Sequence, residues 1–327
     1  MIVLKCKIHL YLLLLFVPFV LSSYGDRSPF YQKCRKSCSE QNCTSGKDRG
    51  PDKYAHNMYR QWIRLLWNCQ DDCSYNCMWH TVEGFVKRGY EIPKFHGKWP
   101  FKRILGVQEP ASTFASVLNL LVHMYMYHQI IDEFSVKEVP MTLLWHMYAL
   151  VSINAWTWSA IFHTRDTPFT EFMDYACAFS LVVIVLLCAI IRWEIYHKQK
   201  QIRLMWSAIT IFFYFFYVDT YLYRQQWNYE YNMHVNVGAL GLLMWLGWAT
   251  IMYKYGKVKH AWRLIVFITL LAPAFLLEVL DFPPVFGWDA HALWHLSTVP
   301  LTPLFYRFAI EDLRFMKQEQ LDARKGD

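Results

Sequence analysis

From about residue 110 onward the chain alternates long apolar runs with short polar breaks, and this rhythm limits the fold more than any other feature. Seven runs, 111–131, 141–163, 169–191, 203–223, 231–253, 262–280 and 287–310, each hold about 19–24 residues, the length at which a helix crosses ~30 Å of hydrocarbon. Inside a bilayer the backbone must satisfy its own hydrogen bonds, so runs of this length read as helices. Composition agrees, because only 18% of the residues are charged where a soluble domain carries nearer a quarter. The expected fold is therefore all-α and integral to the membrane: a seven-transmembrane helix bundle over 110–310, then a tail over 311–327. Disorder, collagen, a coiled coil and an ordinary cytosolic enzyme are excluded.

The part before the bundle has a different character. Lys5 and Lys7 precede an apolar core from Leu10 to Leu21, then Ser22, Ser23 and Gly25. That order marks residues 1–25 as a secretory signal peptide, with a core too short for a comfortable span. An uncleaved anchor is the rival reading. Cysteines Cys34, Cys38 and Cys43, then Cys69, Cys73 and Cys77, make an even set within 26–109, expected as a small disulfide-rich lumenal domain. Zinc is the competing use of such spacings, and the pairing of the six stays open. Asn42-Cys43-Thr44 is a glycosylation sequon in this polar region.

Orientation follows from the basic residues. With a lumenal N-terminus, the loops and tail on the cytosolic side carry 14 Lys and Arg, from Lys137 through Arg192 and Arg263 to Lys325, against Arg165 and Arg224 on the other side. This positive-inside bias agrees with the leader. The net charge of +7 thus belongs to membrane topology, since no Arg/Lys stripe of the kind that binds nucleic acid is present.

Ionisable groups inside a span cost roughly 2.5–3.5 kcal/mol on insertion scales, so each needs a reason. Ser159 and His163 stand four apart near the end of the second span, Asp174 two turns into the third, and His291 and His295 four apart in the seventh. The expected topology places all five in the lumenal half of the bilayer. Three His ligands and one open position make a catalytic zinc (Zn2+) site, which lowers the pKa of water toward ~7. In such a site Asp174 suits the orientation and proton transfer of the attacking water, and Ser159 suits donation to a developing oxyanion. His123, His146 and His234 read as satisfied polar residues, and Glu278 and Asp281 either support the site from behind its ligands or, the reading preferred, sit at the membrane interface.

The pattern of S-x3-H, an Asp eleven residues later and a late H-x3-H in a seven-span chain resembles the CREST superfamily of membrane hydrolases, which includes alkaline ceramidases and the progestin/adiponectin receptor group. The words Asn154 to Tyr175, Phe95-His-Gly-Lys-Trp-Pro-Phe101, Gln108-Glu-Pro-Ala-Ser112 and Leu280-Asp-Phe-Pro-Pro284 resemble the post-GPI-attachment factor 3 family, Per-one-like in fungi. So does the lumenal stretch Cys69 to Trp79, and the likeness runs from about Gly25 to the tail. The resemblance implies a GPI-specific phospholipase A2 of fatty-acid remodelling. Such an enzyme hydrolyses the sn-2 acyl ester of the phosphatidylinositol part of GPI-anchored proteins. It also implies zinc at His163, His291 and His295, assistance from Ser159 and Asp174, and residence in the Golgi or, as in fungal members, the endoplasmic reticulum. A ceramidase-like lipid amidase and a non-catalytic seven-span receptor or GPI-lipid chaperone are the alternatives. Spacing alone reaches a metal hydrolase of something lipidic.

Overall fold

The computed structural model describes residues 23–43, 66–136, 138–197, 200–223, 247–250 and 259–326. Most of the expected leader, and the expected fifth span apart from residues 247–250, lie outside these residues, as does His234. The described residues are mainly helical and contain no named β-strand, only isolated two-residue bridges. They fall into two compact units.

In the first unit, α1 (Pro29–Asn42) starts with Pro29 at its first position, where the missing N–H costs nothing. Helix α2 (Cys69–Lys87) starts with a capping box: Asn68 Oδ1 accepts the Asp71 N–H at 2.9 Å, and the Asp71 carboxylate accepts the Asn68 N–H at 3.1 Å. Near-helical spacing places three cysteines along one side of each helix. They join in nested antiparallel order, Cys34–Cys77, Cys38–Cys73 and Cys43–Cys69. All six are therefore oxidised, and the competing zinc use does not apply. A core of Tyr31, Cys77, Val82 and Phe95 fills the angle, with the Tyr31 and Phe95 rings edge-on at 4.9 Å. Gly25 lies so close that an added Cβ would meet the Lys94 carbonyl at 2.5 Å. Asn42 of the sequon is exposed at the end of α1.

The second unit is a helical bundle of α3 (Pro110–Glu133), α4 (Thr142–Thr164), α5 (Pro168–His197), α6 (Lys200–Tyr217), α7 (Ala261–Leu280), α8 (Ala290–Thr298) and α9 (Thr302–Gly326). Val218–Tyr223 continues α6 as a π-helical stretch. Helix α4 packs between α3 and α5, and α8 lies against α3 and α7. Among the described residues, Pro168–Ile195 and Ala261–Leu280 are long and apolar enough to cross a membrane, and Leu204–Thr220 is a shorter apolar helix. Helices α3 and α4 have 24 and 23 residues, but their inward faces are polar: Ser112, Ser116, Asn119 and His123 on one, Ser152, Ser159 and His163 on the other. An aromatic core of Trp145, Trp248, Phe305 and Phe308 packs deeper in the bundle.

The run 287–310, expected as one continuous span, is instead broken between α8 and α9. Pro300 has no N–H to donate and its ring crowds the preceding turn. The chain tightens there to three-residue bonds, from Val299 N–H to Leu296 O at 3.2 Å and from Leu301 N–H to Thr298 O at 3.1 Å. Helix α9 then runs on to Gly326, through the region read as a tail. Near the C-terminal end of α5 lies a buried ion cluster. Arg192 Nε and Nη2 donate to the two Asp312 oxygens at 2.9 and 3.0 Å, and His260 Nε2 stands 3.3 Å from Asp312 Oδ1.

Candidate metal centre

The local sequence sets each histidine. His163 lies in the last turn of α4, which closes through the Arg165 N–H on the Ile161 carbonyl. The chain then turns into α5, where Thr167 and Thr170 cap each other: Thr170 N–H donates to Thr167 Oγ1 and Thr167 N–H to Thr170 Oγ1. Asp289 caps α8, its carboxylate accepting the Ala292 N–H at 2.9 Å. That start puts His291 and His295 on one face, four residues apart.

The fold brings the three rings together. One ring nitrogen from each of His163, His291 and His295 lies within 4.8 Å of the other two. Ring centroids are 5.2, 5.1 and 4.3 Å apart. His163 and His295 are buried, whereas a third of the His291 side chain is exposed, so the cluster opens on that side.

What surrounds the rings decides their protonation. The Nδ1–H of His163 donates to Glu109 Oε2 at 2.8 Å, and that of His291 to Glu278 Oε2 at 2.7 Å. For His295 the argument takes one step more. Ser116 Oγ donates its own proton to the Ser112 carbonyl at 2.8 Å. It is then an acceptor for His295 Nδ1–H at 3.0 Å and for Ser159 Oγ–H at 3.1 Å. Each of the three Nδ1 atoms thus has a partner outside the cluster.

His163 Nε2 and His291 Nε2 stand 3.4 Å apart, a spacing at which one can donate to the other or both can face a shared cation. Tetrahedral zinc with Zn–N bonds of ~2.0–2.1 Å sets ligand nitrogens roughly 3.3–3.4 Å apart, so the donor set fits zinc. The buried carboxylates behind two of the rings are the partners that metal-ligating histidines ordinarily have.

Glu109 is held from both sides, since its N–H also donates to the His163 carbonyl at 3.0 Å. Asn119 Nδ2 donates to the His295 carbonyl at 2.7 Å, and its Oδ1 accepts from Thr298 Oγ1 at 3.1 Å, which locks α8 to α3. Trp156 closes the wall edge-on to His295 at 5.2 Å.

Ser159 is buried beside the cluster and reaches it through Ser116. Asp174 sits half-buried in the second turn of α5 and is not a member of the trio. His123 is satisfied by the Tyr306 hydroxyl at 3.0 Å, whereas His146, expected to be satisfied too, packs edge-on against Tyr127 with its Nε2 buried and without a hydrogen-bond partner among the described residues. Of the two readings of Glu278, the structure supports the one in which it backs the site, against the preferred place at the interface. This glutamate is the last acidic residue of α7, and the packing of α7 against α8 turns its carboxylate onto His291.

Glu109, Ser116 and Asn119 carry no role in the motif reading. A signal for two of them was present, because Ser112, Ser116, Asn119 and His123 recur at four, three and four residues, a polar stripe on one face of an otherwise apolar helix.

Residues 58–313 match the Per1-like family. A Drosophila melanogaster protein named post-GPI attachment to proteins factor 3 is 41% identical over 295 residues, 88% of each chain. A Mus musculus protein named GPI-specific phospholipase A2-like PGAP3 is 40% identical over 318 residues, 95% of each chain. A Homo sapiens protein of the same name is 38% identical over 318 residues, 93% of this chain and 94% of its own. With identity near 40% sustained over nearly the whole length, and with the helices that carry the three histidines inside the matched segment, the chain belongs to the Per1-like family.

Proposed function

We propose that this chain is a zinc-dependent, GPI-specific phospholipase A2 that hydrolyses the sn-2 acyl ester of the phosphatidylinositol part of GPI-anchored proteins. The observation that carries the chemistry is the convergence of one ring nitrogen from each of His163, His291 and His295 within 4.8 Å, with every Nδ1 bonded outside the cluster. The printed names of the relatives support the choice of substrate. The buried position of the trio in a bundle with membrane-length helices suits an ester at the acyl boundary.

His163, His291 and His295 would hold the metal, and zinc in such a three-histidine site supplies Lewis acidity and lowers the pKa of water toward ~7. Glu109 and Glu278 hold the Nδ1 protons of His163 and His291. Ser159 turns its hydroxyl from Ser116 to the oxygen that becomes negative as the ester carbonyl is attacked. Asp174 accepts a proton from the attacking water and returns it to the glycerol oxygen as the acyl C–O bond breaks. The products are a free fatty acid and a lyso-lipid still attached to its protein.

A lumenal N-terminus, a cleaved leader, a glycan on Asn42 and residence in the Golgi membrane complete the reading. The decisive experiment gives purified full-length chain a defined GPI-linked substrate. The expected result is fatty acid released by the native chain, none after chelation and none from His295→Ala. Sphingoid base released from ceramide instead would select the amidase, and wild-type turnover by His295→Ala would remove the catalytic reading.

A further inference from the structure

Three two-residue turns in this chain share one backbone form. Phe95-His96-Gly97-Lys98, Ile104-Leu105-Gly106-Val107 and Val285-Phe286-Gly287-Trp288 each close with reciprocal bonds between their outer residues. Each has positive φ at both central positions: 50° and 80°, 54° and 83°, 53° and 86°. Such mirror-image turns favour Asn, Asp or Gly at the first central position, because a Cβ there meets the following carbonyl.

In the disulfide-linked unit that position is His96, whose N–H is held by Asp26 at 2.7 Å. In the bundle the residues are Leu105 and Phe286, bulky apolar side chains that the left-handed conformation disfavours. They are also bare: Leu105 is 67% exposed and Phe286 98%, with Ile104 and Val285 beside them also exposed. Strain and exposure together are an expensive way to build a turn in water.

Both turns lie at the end of the bundle that holds the trio. Val107 is followed by Gln108 and Glu109, whose N–H groups bond the Thr164 and His163 carbonyls. Trp288 is followed by Asp289, the cap of α8, and its ring meets Phe114 of α3 edge-on at 6.5 Å. The Phe286 turn follows α7, a helix of membrane-crossing length whose last turns expose Leu276, Val279 and Leu280, after the four residues Asp281, Phe282, Pro283 and Pro284. The exposed apolar residues of α7 and of the tip are thus neighbours in sequence, with Asp281 between them.

We propose that the Ile104-Leu105 and Val285-Phe286 tips are seated in the acyl chains of the adjoining bilayer leaflet, next to the trio. The occupant is lipid. The Phe286 tip follows a helix of membrane-crossing length in sequence, and the tips offer only apolar side chains. Seated in this way, they hold the cluster at the depth of the acyl-chain boundary, whatever reaction it performs.

The test places a nitroxide at Phe286→Cys, and separately at Leu105→Cys, in the full-length chain carrying Cys6→Ser and reconstituted in phosphatidylcholine vesicles. Of the described cysteines, the six of the first unit are paired and Cys177 and Cys188 are buried, so the new thiol is the one that labels. Glu83→Cys, at an exposed position of α2, gives the aqueous reference. Several-fold greater accessibility to oxygen than to a water-soluble nickel complex is expected at 286 and 105, and the reverse at 83. Nickel accessibility matching position 83 would overturn the proposal. So would a label shielded from both reagents, which would mean that protein covers the tip.

Discussion

Near the C-terminal end of α5, Arg192 and Asp312 lie buried with His260, and these three groups stand within 3.3 Å of their partners. Near its N-terminal end, His163 and His295 lie similarly deep while His291 is a third exposed, and a ring nitrogen of each gathers with the other two. Both clusters place ionisable groups where desolvation is costly, and both are tied to two or more helices. Arg192 and Asp312 saturate each other by two parallel bonds, which is how a structural ion pair is built. The histidines are each bonded outward through Nδ1, and a ring nitrogen of each gathers within 4.8 Å of the other two. Buried charge alone therefore does not mark a site. An arrangement that is complete only when something is added does.

The strongest challenge to this contrast is His291→Ala. Metal content measured by elemental analysis should fall from about one zinc per chain to near zero, and phospholipase activity to background. A retained zinc would move the ligand set elsewhere. Asp312→Ala should act in the opposite sense. Leaving Arg192 buried without its partner should cost about 3–5 kcal/mol of stability in detergent, while turnover per folded molecule persists. Arg192→Met combined with Asp312→Leu should recover most of that loss, and a double variant as unstable as the single would show that the pair is more than a structural tie.

Smaller effects sharpen the picture at the trio. Glu109→Gln keeps the shape of the acceptor behind His163 but removes its charge, and a competition titration should show zinc affinity lower by about 10–100-fold. Ser116→Ala removes a single neutral acceptor from His295. A loss of about 1 kcal/mol, or roughly fivefold in zinc affinity, is expected. If Ser116→Ala proved as harmful as Glu109→Gln, the ordering of charged over neutral acceptors would fail.

Much of the architecture is legible in residue order. Apolar runs mark α3, α4, α5, α6 and α7 to within a few residues, because helix length and hydropathy are local quantities. Pro168 begins α5 and Asp289 caps α8 for equally local reasons. His163, His291 and His295 stand out because imidazoles in apolar helices are conspicuous. The break at Pro300 was legible too, but a hydropathy window passes over a single proline. Glu278 and Glu109 were harder, since each sits where a span ends and acidic residues there are ordinary. Only the packing of α7 on α8 and of α3 on α4 turns their carboxylates inward.

The cysteines draw the same line. Their number, spacing and position after a leader are enough to expect an oxidised set, while the nested pairing exists only once α1 and α2 lie antiparallel. Sequence by itself determined which stretches become helices and which residue types face inward, because those depend on neighbours within a turn or two. Tertiary structure decided the convergence of three histidines, the partners of their Nδ1 atoms and the bonds that join six cysteines. These depend on distances between residues as much as 179 positions apart, as for Ser116 and His295, and no local pattern encodes such a distance.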